Sequence, residues 1–303
     1  MAASPQMQEI IDQLTPDPDA PVEAPTVQGI RDMMSNVLLR PAEFSDVTVI
    51  PVSAAGVAAE WLVHKDADPD KRLAYVHGGG YVAGDINGYR TFASDLSQTA
   101  GVAVLNIDYR LAPEHTGSAA FDDALAAYGW MLENGPNGAG APTHCFMGGD
   151  SAGGGLALAT MMGARDAGLP VPTAGILLSP WADMLASGES FQSNAATDPM
   201  VQKGALEWMS SLFLPQEDDL KDPRWSPLYG NFDGLPPLLI QVSAIETLLD
   251  DANGIAERAR AAGVDVTFEA YPDVVHVWQT LGRDIPESSK GIDRICDYIR
   301  EKC

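Results

Sequence analysis

The chain has 303 residues, 46% of them hydrophobic, and a formal net charge of −24 at pH 7. This apolar content is ordinary for a globular protein, and an α/β fold of this length commonly forms one domain. The large negative charge argues against nucleic-acid and anionic-membrane partners, since both attract clusters of Lys and Arg. The sequence shows neither a basic-plus-apolar leader nor a membrane-length apolar run, so a cytoplasmic location is expected.

Predicted secondary structure changes character along the chain. Residues 1–45 are expected to form helices and loops with a proline-rich break at 16–25, and VTVIPV and AAEWLVH then have the composition of paired strands near a sheet edge. After them, short apolar runs alternate with helical stretches. The predicted strands are 73–76, 102–107, 145–147, 174–178, 238–242 and 266–271, and the predicted helices are 89–100, 118–133, 153–167, 251–262 and 287–302.

This alternation indicates a mostly parallel sheet with helices on both faces, and ligands bind such sheets at the carboxyl ends of the strands. Residues 183–225 interrupt the alternation, because they contain no clear strand but include the amphipathic stretch GALEWMSSLFL. We expect this insertion and residues 1–45 to form a cap on one domain that spans 46–303. A plain crossover connection is the alternative for the insertion.

The segment MGGDSAGGGLAL places a serine among glycines where a predicted strand is followed by a helix. Residues 149–153 match G-x-S-x-G, the sharp strand-to-helix turn that presents a nucleophilic serine in α/β-hydrolases. Glycine on both sides of the serine removes side-chain atoms that would clash in such a turn. The pattern also occurs by chance in glycine-rich turns, so by itself it makes Ser151 a candidate nucleophile.

A second glycine cluster, HGGGYVA at 77–83, follows an early predicted strand. It also fits the dinucleotide fingerprint, with Asp108 at the end of the next strand as a ribose partner. That fingerprint requires a helix to begin at the glycines, whereas two further glycines indicate a loop, and it leaves Ser151 unexplained. An acyl-transfer enzyme would use this loop, together with the N–H of Ala152, to stabilise an oxyanion.

A serine nucleophile needs a base, and in this architecture the chain order is serine, acid, histidine. His276 is the only one of the five histidines that follows Ser151, and it lies just beyond a predicted strand. Glu246 is the first carboxylate after the preceding strand, and Asp250 follows one helical turn later. Position favours Glu246 as the acid and leaves Asp250 open.

With these residues identified, the chain resembles the hormone-sensitive-lipase family of α/β-hydrolases, the bacterial type IV carboxylesterases. The match runs from about residue 70 to the end and includes HGGGYVAGD, DYRLAPEH, GGDSAGG, SPWADM, DPRWSP and the loop around His276. The resemblance implies the α/β-hydrolase fold with a helical cap. It also implies Ser151 as nucleophile, His276 as base, and Gly79 and Gly80 as oxyanion donors.

The chain departs from the family pattern at the acid. The family usually has aspartate in a pattern like Asp-Pro-Leu-x-Asp-Glu, whereas ETLLDD places Glu246 at the first position. Glu246 precedes His276 by thirty residues, close to the family's habitual gap. Glutamate is an accepted triad acid, so the resemblance supports Glu246 over Asp250.

The sequence therefore predicts a serine carboxylesterase that hydrolyses short- to medium-chain acyl esters through an acyl-enzyme, without a metal or an organic cofactor. A small ester is the expected partner, and a homodimer is an allowed assembly. A lactonase or an amidase could use the same triad. A ligand-binding protein on a hydrolase scaffold is a further alternative, against which the intact set of candidate triad residues argues.

Overall fold

The computed structural model describes residues 3–15, 25–35, 46–214 and 219–303. The strands of the described ranges are β1 (Val47–Ala54), β2 (Val57–His64), β3 (Asp68–Val76), β4 (Val102–Ile107), β5 (Asn134–Gly135), β6 (Gly138–Ala139), β7 (His144–Asp150), β8 (Ala174–Leu178), β9 (Leu238–Ser243) and β10 (Val266–Tyr271). The helices of the same ranges are α1 (Pro5–Leu14), α2 (Val27–Met33), α3 (Ile86–Ala100), α4 (Ala119–Met131), α5 (Ala152–Asp166), α6 (Ser190–Ser193), α7 (Lys203–Phe213), α8 (Leu249–Ala261) and α9 (Pro286–Glu301).

Eight strands form the central sheet, in the order β1-β2-β4-β3-β7-β8-β9-β10. The β1–β2 and β2–β4 pairs are antiparallel, and the other pairs are parallel. Every residue of β4, β8 and β9 is buried. Because successive side chains of a strand point to opposite faces, layers of structure must cover the sheet on both sides. The predicted fold class is confirmed.

Two observed strands are clearly longer than predicted: β3 begins at Asp68 rather than at residue 73, and β7 extends beyond both ends of its predicted range. The apolar run 145–147 predicts a short strand, whereas β7 continues to Asp150. Gly148 and Gly149 belong to this strand, and Gly149 has backbone atoms of other residues very close to it. A β-carbon on Gly149 would approach Val76 O to 2.6 Å, so a larger residue would not fit against the end of β3.

Two segments lie outside the regular alternation of strands and helices. The described part of residues 1–45 contains α1 and α2, and the described part of 183–225 contains α6 and α7 but no strand. Of the predicted proline-rich break at 16–25, all but Pro25 lies outside the described residues. Within the ranges that the structure covers, no helix has the length and apolar character needed to cross a bilayer.

Candidate active site

Ser151 occupies a strained turn between β7 and α5. Its φ of 54° and ψ of −123° lie in a region that side-chain-bearing residues rarely adopt. A β-carbon on Gly149 would lie 2.3 Å from Gly153 O, and one on Gly153 would lie 2.2 Å from Val76 O. The Ser151 N–H donates to Leu178 O at 2.8 Å, which ties the turn to β8. The crowded backbone therefore forces the serine side chain outward at the end of the strand.

The structure brings together the serine, the histidine and one of the candidate acids. His276 Nε2 lies 2.9 Å from Ser151 Oγ, and His276 Nδ1 lies 3.1 Å from Glu246 Oε2. The three residues follow parallel strands, so their loops meet at one edge of the sheet. The carboxylate of Asp250 is engaged with a different residue: its Oδ2 accepts the backbone N–H of Ser190 at 2.8 Å.

Burial and charge set the protonation behaviour of this group. Burial alone lowers the pKa of His276, but the charge of Glu246 and its hydrogen bond outweigh that effect, and the pKa lies above its ordinary value. Burial raises the pKa of the Glu246 carboxyl. The carboxylate therefore stabilises the imidazolium that would form when His276 takes a proton.

Sequence reasoning missed two buried polar side chains beside the acid and the residue that follows it. Ser179 Oγ donates to Glu246 Oε2 at 3.0 Å and accepts the N–H of Val277 at 3.4 Å. Asp198 accepts the N–H of Thr247 at 2.8 Å, and its charge raises the pKa of both Glu246 and His276. Ser179 lies in the motif SPWADM, which supported the family resemblance but assigned Ser179 no function. No motif distinguishes Asp198.

The predicted oxyanion glycines lie beside Ser151 in a turn that only glycine readily forms. Gly79 has φ +121° and Gly80 has φ +63°, and a β-carbon on Gly79 would lie 2.1 Å from Ala83 O. Both glycines line the same cavity as Ser151. Ala152 is the first residue of α5, so its N–H has no acceptor within the helix.

This glycine turn does not open a helix. Asp85 accepts the N–H of Gly88 at 2.9 Å as the N-cap of α3, and the helix begins only at Ile86. The glycines are therefore separated from the helix N-terminus that would meet a pyrophosphate. The geometry does not support the dinucleotide alternative.

A cavity of about 120 Å³ opens onto Ser151 and His276, and its wall is largely apolar. Two polar side chains in the wall are engaged elsewhere: Gln202 Nε2 donates to Asp198 O at 2.9 Å, and the Thr280 hydroxyl donates to a backbone carbonyl. The apolar wall comes from α2, from α7 with the residues before it, and from the histidine loop: Ile30, Met33, Met34, Met200, Val201, Ala205, Leu206, Met209, Val277 and Leu281.

The chain is similar in sequence to known hydrolases. A family model described as the alpha/beta hydrolase fold matches residues 73–280. An acetyl-hydrolase of Streptomyces hygroscopicus is 39% identical, with 82% of this chain and 81% of that protein covered. An esterase of Acinetobacter venetianus is 32% identical, with 83% and 82% covered.

Solved structures of similar proteins superpose on this chain over its whole length. An esterase from the bacterial hormone-sensitive lipase family is 40% identical with a TM-score of 0.91, covering 100% of this chain and 99% of that chain. A hormone-sensitive lipase from a metagenome library is 31% identical with a TM-score of 0.90, again covering 100% and 99%.

The fold and the turn at Ser151 define an α/β-hydrolase with a serine at the carboxyl edge of its sheet. The chain belongs to the hormone-sensitive-lipase family of α/β-hydrolases. The family and the enzyme class predicted from the motifs, a carboxylic ester hydrolase, are thereby confirmed.

Proposed function

We propose that the chain is a serine carboxylesterase in which Ser151 forms the acyl-enzyme. One observation carries the proposal: Ser151, His276 and Glu246 form an unbroken series of contacts of 2.9 and 3.1 Å at the wall of an apolar cavity. A nucleophile, a base and a group that orients the base are the parts that acyl transfer requires.

In the first step Ser151 Oγ attacks the ester carbonyl while His276 Nε2 takes the hydroxyl proton. Glu246 holds Nδ1 and stabilises the imidazolium. The carbonyl oxygen becomes an oxyanion, which the N–H groups of Gly79, Gly80 and Ala152 would bind. His276 then gives its proton to the leaving alcohol oxygen as the ester C–O bond breaks.

In the second step water replaces the alcohol. His276 takes a proton from the water as its oxygen attacks the acyl carbon, and a second oxyanion forms in the same place. Collapse of that intermediate breaks the bond to Ser151 Oγ, and His276 returns the proton to the serine. The carboxylic acid leaves, and Ser151 and His276 are back in their starting protonation states.

The size and the apolar wall of the cavity favour small esters with an apolar acyl group as substrates. An engineered apolar cavity of about 150 Å³ holds a benzene molecule, so a cavity of about 120 Å³ accommodates a chain of a few carbons. Lactones and amides could react with the same side chains. The similar proteins are named as esterases and an acetyl-hydrolase, which favours esters.

We also propose that residues 1–45 and 183–225 form the cap, on a catalytic domain that spans 46–303. This division is supported by the origin of the cavity wall. Ile30 and Met33 come from α2, and Leu206 and Met209 come from α7, whereas Ser151 and His276 belong to the sheet edge below.

Replacement of Ser151 by alanine tests the proposal. Ser151→Ala should lower kcat for hydrolysis of p-nitrophenyl butyrate by a factor of roughly 10⁴–10⁶, while the circular-dichroism spectrum stays unchanged. The positive φ at this position is strained for alanine as for serine, so little change in stability is expected. Activity within tenfold of the wild type would overturn the assignment.

A further inference from the structure

One face of α7 lies directly on the loop that contains the oxyanion glycines. A β-carbon placed on Gly80 would lie only 2.1 Å from Met209 Sδ, and the next nearest atoms are Cγ and Cε of the same side chain, at 3.3 and 3.4 Å. The thioether of Met209 therefore fills the space directly in front of the Gly80 Cα.

The next turn of the same helix fixes this contact. The ring of Phe213 stacks on the ring of Tyr81, with centroids 4.2 Å apart and planes within 10°. Phe213 O also accepts the N–H of Gly117 at 2.8 Å. Met209 and Phe213 are one helical turn apart, and they pack on two consecutive residues of the loop, Gly80 and Tyr81. The helix is thus held in one register against the glycines.

Two other apolar residues of the cavity lie elsewhere in its wall. Met33 is 43% exposed and lies at the rim, on α2. Leu206 is buried on α7 one turn before Met209. Met209 joins the cap to Gly80 itself, so its side chain bounds the cavity where a substrate chain would leave the carbonyl carbon.

We propose that Met209 is the specificity-determining residue that limits the length of the substrate chain lying against α7. The proposal rests on the proposed esterase function. An unbranched thioether adapts its shape but still occupies the volume of a short alkyl chain. Removing it opens that volume beside Gly80, and a bulkier group there closes it further.

Chain-length profiles of Met209 variants test this inference. We would measure kcat/KM for Met209→Ala, Met209→Trp and Met209→Leu with two series of esters: p-nitrophenyl acetate to octanoate, and acetates of ethanol to hexanol. In one series, Met209→Ala should raise the long-to-short ratio of kcat/KM by at least about tenfold, since each methylene in an apolar pocket changes discrimination by roughly 10–200-fold. Met209→Trp should lower that ratio, and Met209→Leu should leave it within about threefold.

Leu212→Ala is the matched control, because it removes a half-buried apolar side chain from the same helix, α7, that is not among the residues lining the cavity. It should leave both profiles unchanged. Met209→Trp fills space rather than emptying it, so its opposite shift tests the proposal even if Met209→Ala fails to fold. Parallel profiles for Met209 variants and wild type would overturn the inference. A shift of equal size in both series, or the same shift in Leu212→Ala, would also overturn it.

A second measurement separates this inference from the proposed function. Straight-chain methyl ketones resemble the esters but cannot be hydrolysed, and calorimetry measures their binding without turnover. Relative to wild type, Met209→Ala should favour 2-nonanone over 2-butanone by at least about threefold. A ketone shift in a protein that hydrolyses no ester would contradict the esterase proposal and support the role of Met209. Unchanged ketone affinities in an active esterase would contradict the role of Met209 alone.

Discussion

The carboxylate of Asp150 accepts the backbone N–H of Gly78 at 3.1 Å, so the residue before Ser151 holds the first glycine of the oxyanion loop. The hydroxyls of Tyr75 and Tyr89 donate to the same carboxylate at 2.8 and 2.7 Å. Burial raises the pKa of Asp150 to about 6, against the effect of the tyrosine bonds. A single buried carboxylate thus links the two glycine clusters.

Asp150→Asn should lower kcat although it leaves Ser151 in place. The amide directs an N–H₂ group at donors that require an acceptor, so the Gly78 loop should shift and the oxyanion donors with it. Loss of one such donor costs roughly 10²–10³ in kcat, and we expect a fall toward that range. Urea denaturation should show that the free energy of unfolding falls by about 1–3 kcal/mol. A kcat equal to that of the wild type would show that Asp150 does not position the loop.

Three acid-site variants test which carboxylate serves His276. Glu246→Gln should lower turnover by at least roughly 10²–10³, because the amide removes the charge that stabilises imidazolium. Glu246→Asp should retain part of the activity, since only the reach is shortened. Asp250→Asn is the matched control and should cost much less, because Asp250 bonds to Ser190 instead. A crippled Asp250→Asn beside a mild Glu246→Gln would contradict the assignment.

The pH profile of kcat/KM provides an independent test of the same contact. His276 must be neutral to take the serine proton, so activity falls as pH drops through its pKa. Burial lowers the pKa of His276, the charge of Glu246 overcomes that effect, and the acidic limb should lie above 6.5. Glu246→Gln removes the largest cause that raises the pKa of His276 and leaves burial and the smaller effects of Asp198 and Asp150, so the acidic limb of its residual activity should move to lower pH. A limb that stays in place or moves upward would contradict the electrostatic role of Glu246.

Arg31 tests the contribution of α2 to the cap. Its Nε donates to Val82 O at 2.8 Å, its Nη2 donates to Ala112 O at 3.2 Å, and its guanidinium pairs with Glu114 at 2.7 Å. Arg31→Met should release α2 from the loop and raise KM for p-nitrophenyl butyrate by roughly tenfold, about 1.4 kcal/mol, with kcat little changed. Glu114→Gln should change KM less than about threefold, since an exposed ion pair contributes about 0–1 kcal/mol. Equal effects of the two variants would assign the anchoring to the ion pair rather than to the carbonyl bonds.

Much of the fold could be predicted because burial and periodicity agree locally. The apolar runs at 102–107, 174–178 and 266–271 coincide with β4, β8 and β10. Chain order and strand ends likewise pointed to the residues that the structure brings together at Ser151. These features depend on short stretches of sequence and on general rules of parallel sheets.

The remaining site features depend on contacts between distant segments. Asp198 and Met209 both belong to the insertion at 183–225. Asp198 bonds to Thr247, and Met209 packs on Gly80, which is far from it in the sequence. Asp150 occupies a position that the G-x-S-x-G pattern leaves undefined, so the motif gave it no role. Such relationships follow from how the cap packs on the sheet, which local propensity does not encode.

The most direct test of the proposed mechanism is to capture the acyl group on the enzyme. Wild-type protein mixed briefly with p-nitrophenyl acetate and quenched in acid should gain the mass of one acetyl group, located by peptide mass spectrometry on Ser151. Glu246→Gln should accumulate the same adduct more slowly, and Ser151→Ala should gain none. An acetyl group on another residue, or a wild-type enzyme that hydrolyses the ester while Ser151→Ala does so equally well, would contradict the proposal that Ser151 is the nucleophile.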